Sequence, residues 1–226
     1  MAKNRKDRKA DLQVLVVDVG GTHVKLELNG KSERREFKSG AKLTAKRMVR
    51  EVKRLAADWP YDVVSIGYPG LAVRDRVVAE PHNLGPGWTN FDFAKAFGCP
   101  VKIINDAAMQ ALGSYQGGKM LFLGLGTGLG TTMIVDDVIE PMELAHLPYR
   151  KGKTFEDYVG AAGLKHFGQT KWRKHVIDVI ERLMAALEPE YVVLGGGNAD
   201  RLGKLPRRVR KGDNDNAFIG GYKMWN

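Results

Sequence analysis

The chain has 226 residues, enough for one large domain or two small lobes, and its 43% hydrophobic and 27% charged content is ordinary for a soluble globular protein. No apolar run reaches the roughly 20 residues that span a membrane, the first eleven residues lack an export signal's apolar stretch, and the single cysteine, Cys99, excludes an intrachain disulfide or an all-cysteine metal site. These features set a cytoplasmic expectation, while a net charge of +10, gathered in residues 3–9, 31–54 and 201–211, calls for a polyanion or a solvated surface.

Residues 1–10 read as a basic, disordered tail. The apolar run Leu12–Val17 predicts a strand that ends in Asp18-Val-Gly-Gly-Thr-His-Val-Lys25, and Val24–Leu28 and Glu33–Lys38 flank Asn29-Gly30, a strong hairpin signal. Leu43, Met48, Val49, Val52 and Leu55 stand at helical spacing, and Pro60 stops that helix. Asp62–Ile66 predicts a strand, 79–90 an irregular loop rich in Pro, Gly and Asn, and Phe91–Phe97 a short helix. Val101–Ile104 is a buried strand that delivers Asn105-Asp106 to an Ala-rich helix over Ala107–Tyr115. From Met120 the opening pattern recurs: strand, a glycine loop in Leu123-Gly-Leu-Gly-Thr-Gly-Leu-Gly-Thr-Thr132, strand Thr131–Val135, a turn at Asp136-Asp137 and a short strand. A helix with an apolar face from Val176 to Leu187 and a strand Tyr191–Leu194 entering Gly195-Gly-Gly197 complete the chain. Two lobes are expected, a small one over 11–104 and a large one over 105–226, with a return of the C-terminal segment to the small lobe left open.

Each glycine loop turns a β-hairpin, and neither carries the Gly-Lys-Ser/Thr ending of a P-loop. Glycine lets the backbone approach a ligand and turn N–H groups inward, so Gly20, Gly21, Thr22, Gly126, Thr127 and Gly128 are candidate phosphate ligands, with Thr131 a further hydroxyl donor. Asp18, at a strand end, could hold Mg²⁺, which accepts few carboxylates plus phosphate oxygens; Lys25 either assists or is solvated. Asp106 is the candidate general base, and the same Asn-Asp is also a turn and helix cap. Glu143, His146 and Glu156, with Asn83, supply the paired hydrogen bonds that a polyhydroxylated ligand needs; sugar binding, metal binding and a simple surface pair stay open for that cluster. Gly195, Gly196 and Gly197 suit a nucleotide contact, and the basic stretch 201–211 is read equally as a polyanion guide or a solvated surface.

Asp18–Lys25, Gly67-Tyr-Pro-Gly70, Asn83–Trp88, Asn105-Asp106, Leu125–Thr131, Glu143-Leu-Ala-His146 and Val193–Gly197 together resemble, in order, the motifs of the ROK family of sugar kinases, over roughly residues 12–222. Without a cysteine-rich zinc motif after Glu143-Leu-Ala-His146, and with the compact run to Glu156-Asp157-Tyr158, the resemblance is to the polyphosphate glucokinase branch. It implies an α/β, two-lobed actin/hexokinase-like (ribonuclease H-like) fold with mixed sheets and an interlobe active-site cleft. It further implies glucose phosphorylation by polyphosphate and/or ATP with Mg²⁺, Asp106 deprotonating the 6-hydroxyl and Asn83, Asn105, Glu143, His146 and Glu156 holding the sugar. A homodimer is expected by the same resemblance, and neither nucleic acid nor membrane is an expected partner. Ala145 departs from the family's usual Gly, and the short 197–212 segment would cramp an adenine pocket. A kinase for mannose, fructose or an N-acetyl sugar is the alternative within the class. Outside it stand a non-catalytic sugar or polyanion binder and a sugar-responsive DNA-binding regulator, which would need a winged helix ahead of the first strand.

Overall fold

The computed structural model describes residues 12–213 and 215–226; the basic tail expected over 1–10 lies outside them. The chain divides into two compact units, one of residues 12–109 and 217–226, the other of 110–216.

In the first unit the five-stranded sheet runs β3-β2-β1-β4-β7, formed by β1 (Val14–Val19), β2 (His23–Leu28), β3 (Arg34–Lys38), β4 (Val63–Tyr68) and β7 (Val101–Asn105). The first three are antiparallel neighbours, while β4 lies parallel to β1 and β7 parallel to β4. All six residues of β4 are buried, as a central strand covered on both faces requires. One face packs on helix α1 (Ala45–Leu55), whose Met48, Val49 and Val52 join Leu15, Val17, Leu26 and Ile66 in the core. Thr44 caps α1 by accepting from the Arg47 N–H. The short helix α2 (Phe93–Phe97) starts two residues later than expected because Asp92 caps it through the Lys95 N–H. The other face receives Ala217 and Phe218, which pack with Val14, Val16 and Val63. Gly221 has to be glycine there, since a Cβ would lie 2.4 Å from Val16 Cγ1. The buried Ser65 hydroxyl donates to the Gly221 carbonyl at 2.6 Å. A two-stranded hairpin that the sequence did not announce, β5 (Ala72–Val73) and β6 (Arg76–Val77), turns through Arg74 and Asp75, both at positive φ.

The second unit repeats the arrangement. Its sheet runs β10-β9-β8-β11-β12, from β8 (Lys119–Leu125), β9 (Leu129–Val135), β10 (Val138–Met142), β11 (Tyr191–Gly195) and β12 (Val209–Lys211). Again two antiparallel pairings are followed by two parallel ones. The turn at Asp136-Asp137 has both residues at positive φ, as a tight two-residue hairpin demands. Helix α3 (Asp106–Ser114) crosses the boundary between the units in sequence, and α4 (Phe155–Val159) opens with a capping box between Thr154 and Asp157. The long α5 (Ala161–Leu187) buries Trp172, Val176, Val179, Ile180 and Leu183 against β8 and β11, and is broken at Gly168, whose φ of 71° departs from the helix. The last helix, α6 (Asn216–Lys223), carries the Ala217 and Phe218 already placed in the first unit.

Candidate active site

In the first unit the parallel strands β1, β4 and β7 end side by side, and ligands gather beyond the carboxyl ends of such strands. Asp18 pairs in register with Gly67 of β4, and Gly67 with Ile104 of β7, so Asp18 and Asp106 stand at neighbouring strand ends with one strand between them. Gly67 permits this: a Cβ there would lie 2.3 Å from Met109 Cε and 3.6 Å from Asp106 Cα. Both carboxylates keep a window to solvent but are packed round by protein. That burial, and then the Asp18 charge, push Asp106 up to about 7, against the pull of the backbone N–H of Ala107, which donates to Oδ1 at 2.8 Å. Burial also raises Asp18, opposed by the cations of Lys25 and Arg34. Lys25 therefore acts first on Asp18, its partner across β1 and β2.

Asn105 positions its neighbour. Its Oδ1 accepts from the Ala108 N–H at 3.2 Å, capping α3, and its amide donates to the Gly70 carbonyl at 3.2 Å, which leaves one amide hydrogen for a ligand. The first glycine loop is fixed from below: Gly20 N–H donates to His23 O, and Ser39 ties it through its hydroxyl to Gly20 O at 2.6 Å and through its N–H to Thr22 O at 2.9 Å. Thr22 is exposed, and a Cβ on Gly21 would touch Asn83 Cβ at 3.7 Å, so the loop and Asn83 are neighbours.

Asn83 sits at the surface of a loop that Glu80 organises. The Glu80 carboxylate accepts from Trp88 N, Thr89 N and the Thr89 hydroxyl, the last at 2.6 Å, and these bonds hold it below the usual carboxylate range. Trp88, fully buried, donates its indole N–H to Leu43 O. The sequence offered no signal for Glu80 beyond a charge at the head of a Pro/Gly-rich segment.

In the second unit the second glycine loop is shaped by Glu156. One carboxylate oxygen accepts from the Leu129 N–H at 3.1 Å and lies 2.1 Å from where a Gly128 Cβ would be, so a side chain there would displace that carboxylate. Thr127 O accepts from Ala161 N at the start of α5, Gly126 O accepts from the Asn198 amide, and the Thr127 side chain is exposed. Gly196, at a φ of 80°, packs on this loop, since a Cβ would lie 2.5 Å from Leu125 O; Gly195 is packed against Phe122, whereas Gly197 faces open space.

Thr131 departs from the sequence reading. It is buried, donates its hydroxyl to Met142 O at 2.5 Å and accepts from Leu144 N at 3.2 Å, which leaves it no role as a phosphate donor. It pins the 3₁₀ turn Leu144–His146 instead. Glu143 and His146 flank that turn with side chains 76% and 69% exposed and 3.6 Å apart, an open pair worth little to stability and available to a ligand. Among the described residues no three His, Cys, Asp or Glu gather as a metal site, so the metal reading of this pair has no further ligands there.

Between His146 and Glu156 the chain forms a strap that turns at Lys151-Gly152, both at positive φ, closed by Tyr149 N to Lys153 O and Phe155 N to Leu147 O. Tyr149 anchors it to α5. Its hydroxyl donates to Asp178 Oδ2 at 2.6 Å and meets His175 Nδ1 at 3.2 Å, and its ring packs edge-on against Phe155, Tyr158 and His175. Burial and Asp178 push the phenol up to about 12. Arg150 and Arg182 pair with the same carboxylate at 3.2 and 3.0 Å.

The basic stretch 201–211 is divided: Lys204 and Arg207 are exposed with no ion pair or hydrogen bond through their side chains among the described residues, and its other cations are bonded to the protein. Arg208, at a φ of 64°, donates to Pro189 O; Arg210 donates to Ser114 O at 2.8 Å; Lys211 reaches Asp200; and Arg201 bonds Asn198. These cations fasten β12 and the turn before it.

Comparison with known proteins identifies the family. The ROK family profile matches residues 14–140, more than half of the chain. The chain belongs to the ROK family. It is 28% identical over 149 residues to polyphosphate glucokinase of Mycobacterium tuberculosis; the match covers 59% of this chain and 56% of that protein, so the chain spans little more than half the length of this relative. A solved inorganic polyphosphate/ATP-glucomannokinase from Arthrobacter sp. strain KM superposes with a TM-score of 0.80 at 23% identity, covering 95% of this chain and 98% of that one. A ROK family glucokinase from Streptomyces griseus, solved with glucose and AMPPNP, gives 0.69 at 17% identity over 94% of this chain and 98% of that one. The fold is thus the α/β, mixed-sheet one of the actin/hexokinase-like ROK proteins. None of the described helices is long and apolar enough to cross a membrane.

Proposed function

We propose that this ROK protein is a hexose kinase that transfers the terminal phosphoryl group of inorganic polyphosphate or ATP to the 6-hydroxyl of glucose. The observation that carries the reading is the Asp18–Asp106 pair, because it yields a carboxylate poised near neutrality, where a general base works best. Asp106 accepts the hydroxyl proton, the sugar oxygen bonds to the terminal phosphorus, and the bridging P–O bond breaks to leave ADP or a polyphosphate one unit shorter. Phosphoryl transfer asks the protein mainly for position and charge neutralisation. Asn83, Asn105, Glu143, His146 and Glu156 are the sugar ligands in this reading, and Gly20, Gly21, Thr22, Gly126, Thr127 and Gly128 the phosphate ligands, with Gly195–Gly197 for a nucleotide.

Asp18 suits Mg²⁺, since one carboxylate with phosphate oxygens and water completes that ion's shell, and a dication would relieve the repulsion between two buried carboxylates. When bound it supplies positive charge to the phosphate oxygens. A cytoplasmic location belongs to the same reading, in keeping with the single cysteine, Cys99, a free thiol.

The similarity to a polyphosphate glucokinase and to a polyphosphate/ATP-glucomannokinase supports this choice of donor and sugar. A coupled assay of glucose 6-phosphate formation with ATP and with polyphosphate tests it, with mannose, fructose and N-acetylglucosamine as competing acceptors. Turnover of none of these sugars with either donor, in the presence of Mg²⁺, would remove the proposal.

A further inference from the structure

Lysines and arginines of the first unit fall into two groups. One group is spent on the protein itself. Arg34 pairs with Glu27 and lies over Phe218; Arg35 pairs with Glu33 and Asp58 and covers Trp59; Arg54 pairs with Glu51; and Lys53 donates to Ala96 O. The other group is exposed and makes no ion pair or hydrogen bond through its side chains among the described residues: Lys31, Arg74, Arg76 and Lys95, and with them Lys38, Lys42, Lys46 and Arg47.

The last four, Lys38, Lys42, Lys46 and Arg47, follow one another along the chain from the first glycine loop. Lys38 is the register partner of His23, one residue after Thr22. Ser39 then binds Gly20 and Thr22, and the chain turns through Gly40 to Leu43, whose N–H donates to Gly40 O. Lys42 lies in that turn, and Lys46 and Arg47 occupy the first turn of α1. The 80–89 loop ties the two ends together, meeting Gly21 through Asn83 and Leu43 O through Gly85 N and Trp88 Nε1. Glycine loop and helix start are therefore one neighbourhood.

Helix stability does not account for these cations. The first turn of α1 contains no acidic residue and two basic ones, the reverse of what the helix dipole favours. Their unpaired charge adds to the positive end of that dipole and raises the potential beside the phosphate loop. A compact triphosphate is held by the loop itself; a long polyanion must lay the rest of its charge somewhere.

We propose that Lys38, Lys42, Lys46 and Arg47 form a track for the tail of a long inorganic polyphosphate whose reacting end lies at the Gly20–Thr22 loop. The track rests on the donor reading above and adds chain-length selectivity to it. Stretch 201–211 does not share this role, since Arg201, Arg208, Arg210 and Lys211 are bonded to other residues of the protein.

The test is the triple variant Lys42→Gln, Lys46→Gln, Arg47→Gln, whose changes are all at exposed positions. Fluorescence anisotropy with end-labelled long-chain polyphosphate reads the track directly, with tripolyphosphate and a single-stranded DNA as comparison ligands. Affinity for the long chain is expected to fall about tenfold or more. The log–log salt slope should shrink by roughly two, the counterion release of three lost contacts at about 0.7 each. Tripolyphosphate binding, and the KM for ATP in glucose phosphorylation, should stay within about twofold. A long-chain affinity and slope equal to wild type would overturn the track, as would an equal loss with tripolyphosphate. DNA binding as tight as polyphosphate and equally lost would reassign the surface to nucleic acid and overturn it too. If no donor phosphorylates any sugar, the kinase reading fails while the anisotropy result still decides the track.

Discussion

The Asp18 carboxylate raises the proton affinity of Asp106 from the far side of β4, where the Met109 side chain packs onto Gly67. Proton acceptance by Asp106 requires its ionised form, and in the metal-free protein carbon NMR of the Asp106 carboxyl should show a titration limb near 7. Asp18→Asn removes the second cause of the upward shift and should move that limb to lower pH. A limb that stays in place would mean that burial alone sets it.

Asp106→Asn should separate activity from stability. Turnover is expected to drop by at least ~10²-fold, the usual effect of losing a general base. Native Asp106 titrates near 7 and an unfolded Asp near 3.9, so the native state binds more protons between those values and stability falls as pH rises through that window. Asparagine carries no charge to bury. Thermal melts should therefore find the variant close to wild type near pH 4 and more stable above pH 7, by roughly 1.4 kcal/mol per unit of the shift. A variant less stable than wild type at pH 8 would count against the buried carboxylate.

Glu80→Gln keeps the size of the side chain but weakens the acceptor for Trp88 N, Thr89 N and the Thr89 hydroxyl. Asn83 belongs to the loop these bonds close, next to Gly21. The KM for sugar should rise several-fold with the KM for ATP unchanged, and proteolysis within residues 80–89 should quicken. Equal changes in both constants would point to general loosening.

Thr131→Val leaves the Met142 carbonyl and the Leu144 N–H without their partner, at a cost of about 1–3 kcal/mol. Freed of that pin, the turn bearing Glu143 and His146 should bind sugar less tightly, and Thr131→Ser, which restores the hydroxyl, should rescue both stability and sugar KM. Failure of serine to rescue would show that the methyl group, not the hydroxyl, matters.

Periodicity and turn chemistry made most of the strands legible. The runs at 14–19, 63–68 and 119–125, the Asn29-Gly30 hairpin and the Asp136-Asp137 turn are local signals, and the structure has them within two or three residues. The candidate base and both glycine loops were also visible, because strand ends and glycine clusters mark themselves in sequence. What escaped were contacts between distant residues. Thr131 reads as one more hydroxyl in a glycine loop until Met142 and Leu144 are seen to occupy it. Arg208 and Arg210 read as surface charge, although their partners, Pro189 O and Ser114 O, stand 19 and 96 residues away. Strand β12 was hidden for the same reason: three residues among cations carry no period, and only pairing with β11 makes them a strand.

Tyr149 gives the final prediction. The strap from Leu147 to Thr154 joins the turn bearing His146 to the helix bearing Glu156, and the Tyr149 hydroxyl fixes it to Asp178 of α5. Burial pushes the Asp178 carboxyl up, but the Tyr149 and Arg182 hydrogen bonds and the two guanidiniums together carry it below its usual range, so it accepts as a carboxylate. Tyr149→Phe keeps the ring among Phe155, Tyr158 and His175 and removes the hydroxyl's bond to Asp178 together with its contact to His175 Nδ1. A hydrogen bond to a charged group is worth about 1.5–3 kcal/mol. With Asp178→Asn as the second change, a double-mutant cycle should find the pair coupled by ~0.5–3 kcal/mol in unfolding free energy. Both single variants should raise the KM for sugar while leaving the KM for ATP in place, because the strap carries the Glu143–His146 turn, whereas the second loop is also held by Ala161 N and the Asn198 amide. Additive losses in the cycle would mean that the hydroxyl and Asp178 act separately, and a rise in the ATP KM of the same size would mean that the strap holds the phosphate loop through Glu156 more than it holds the sugar turn.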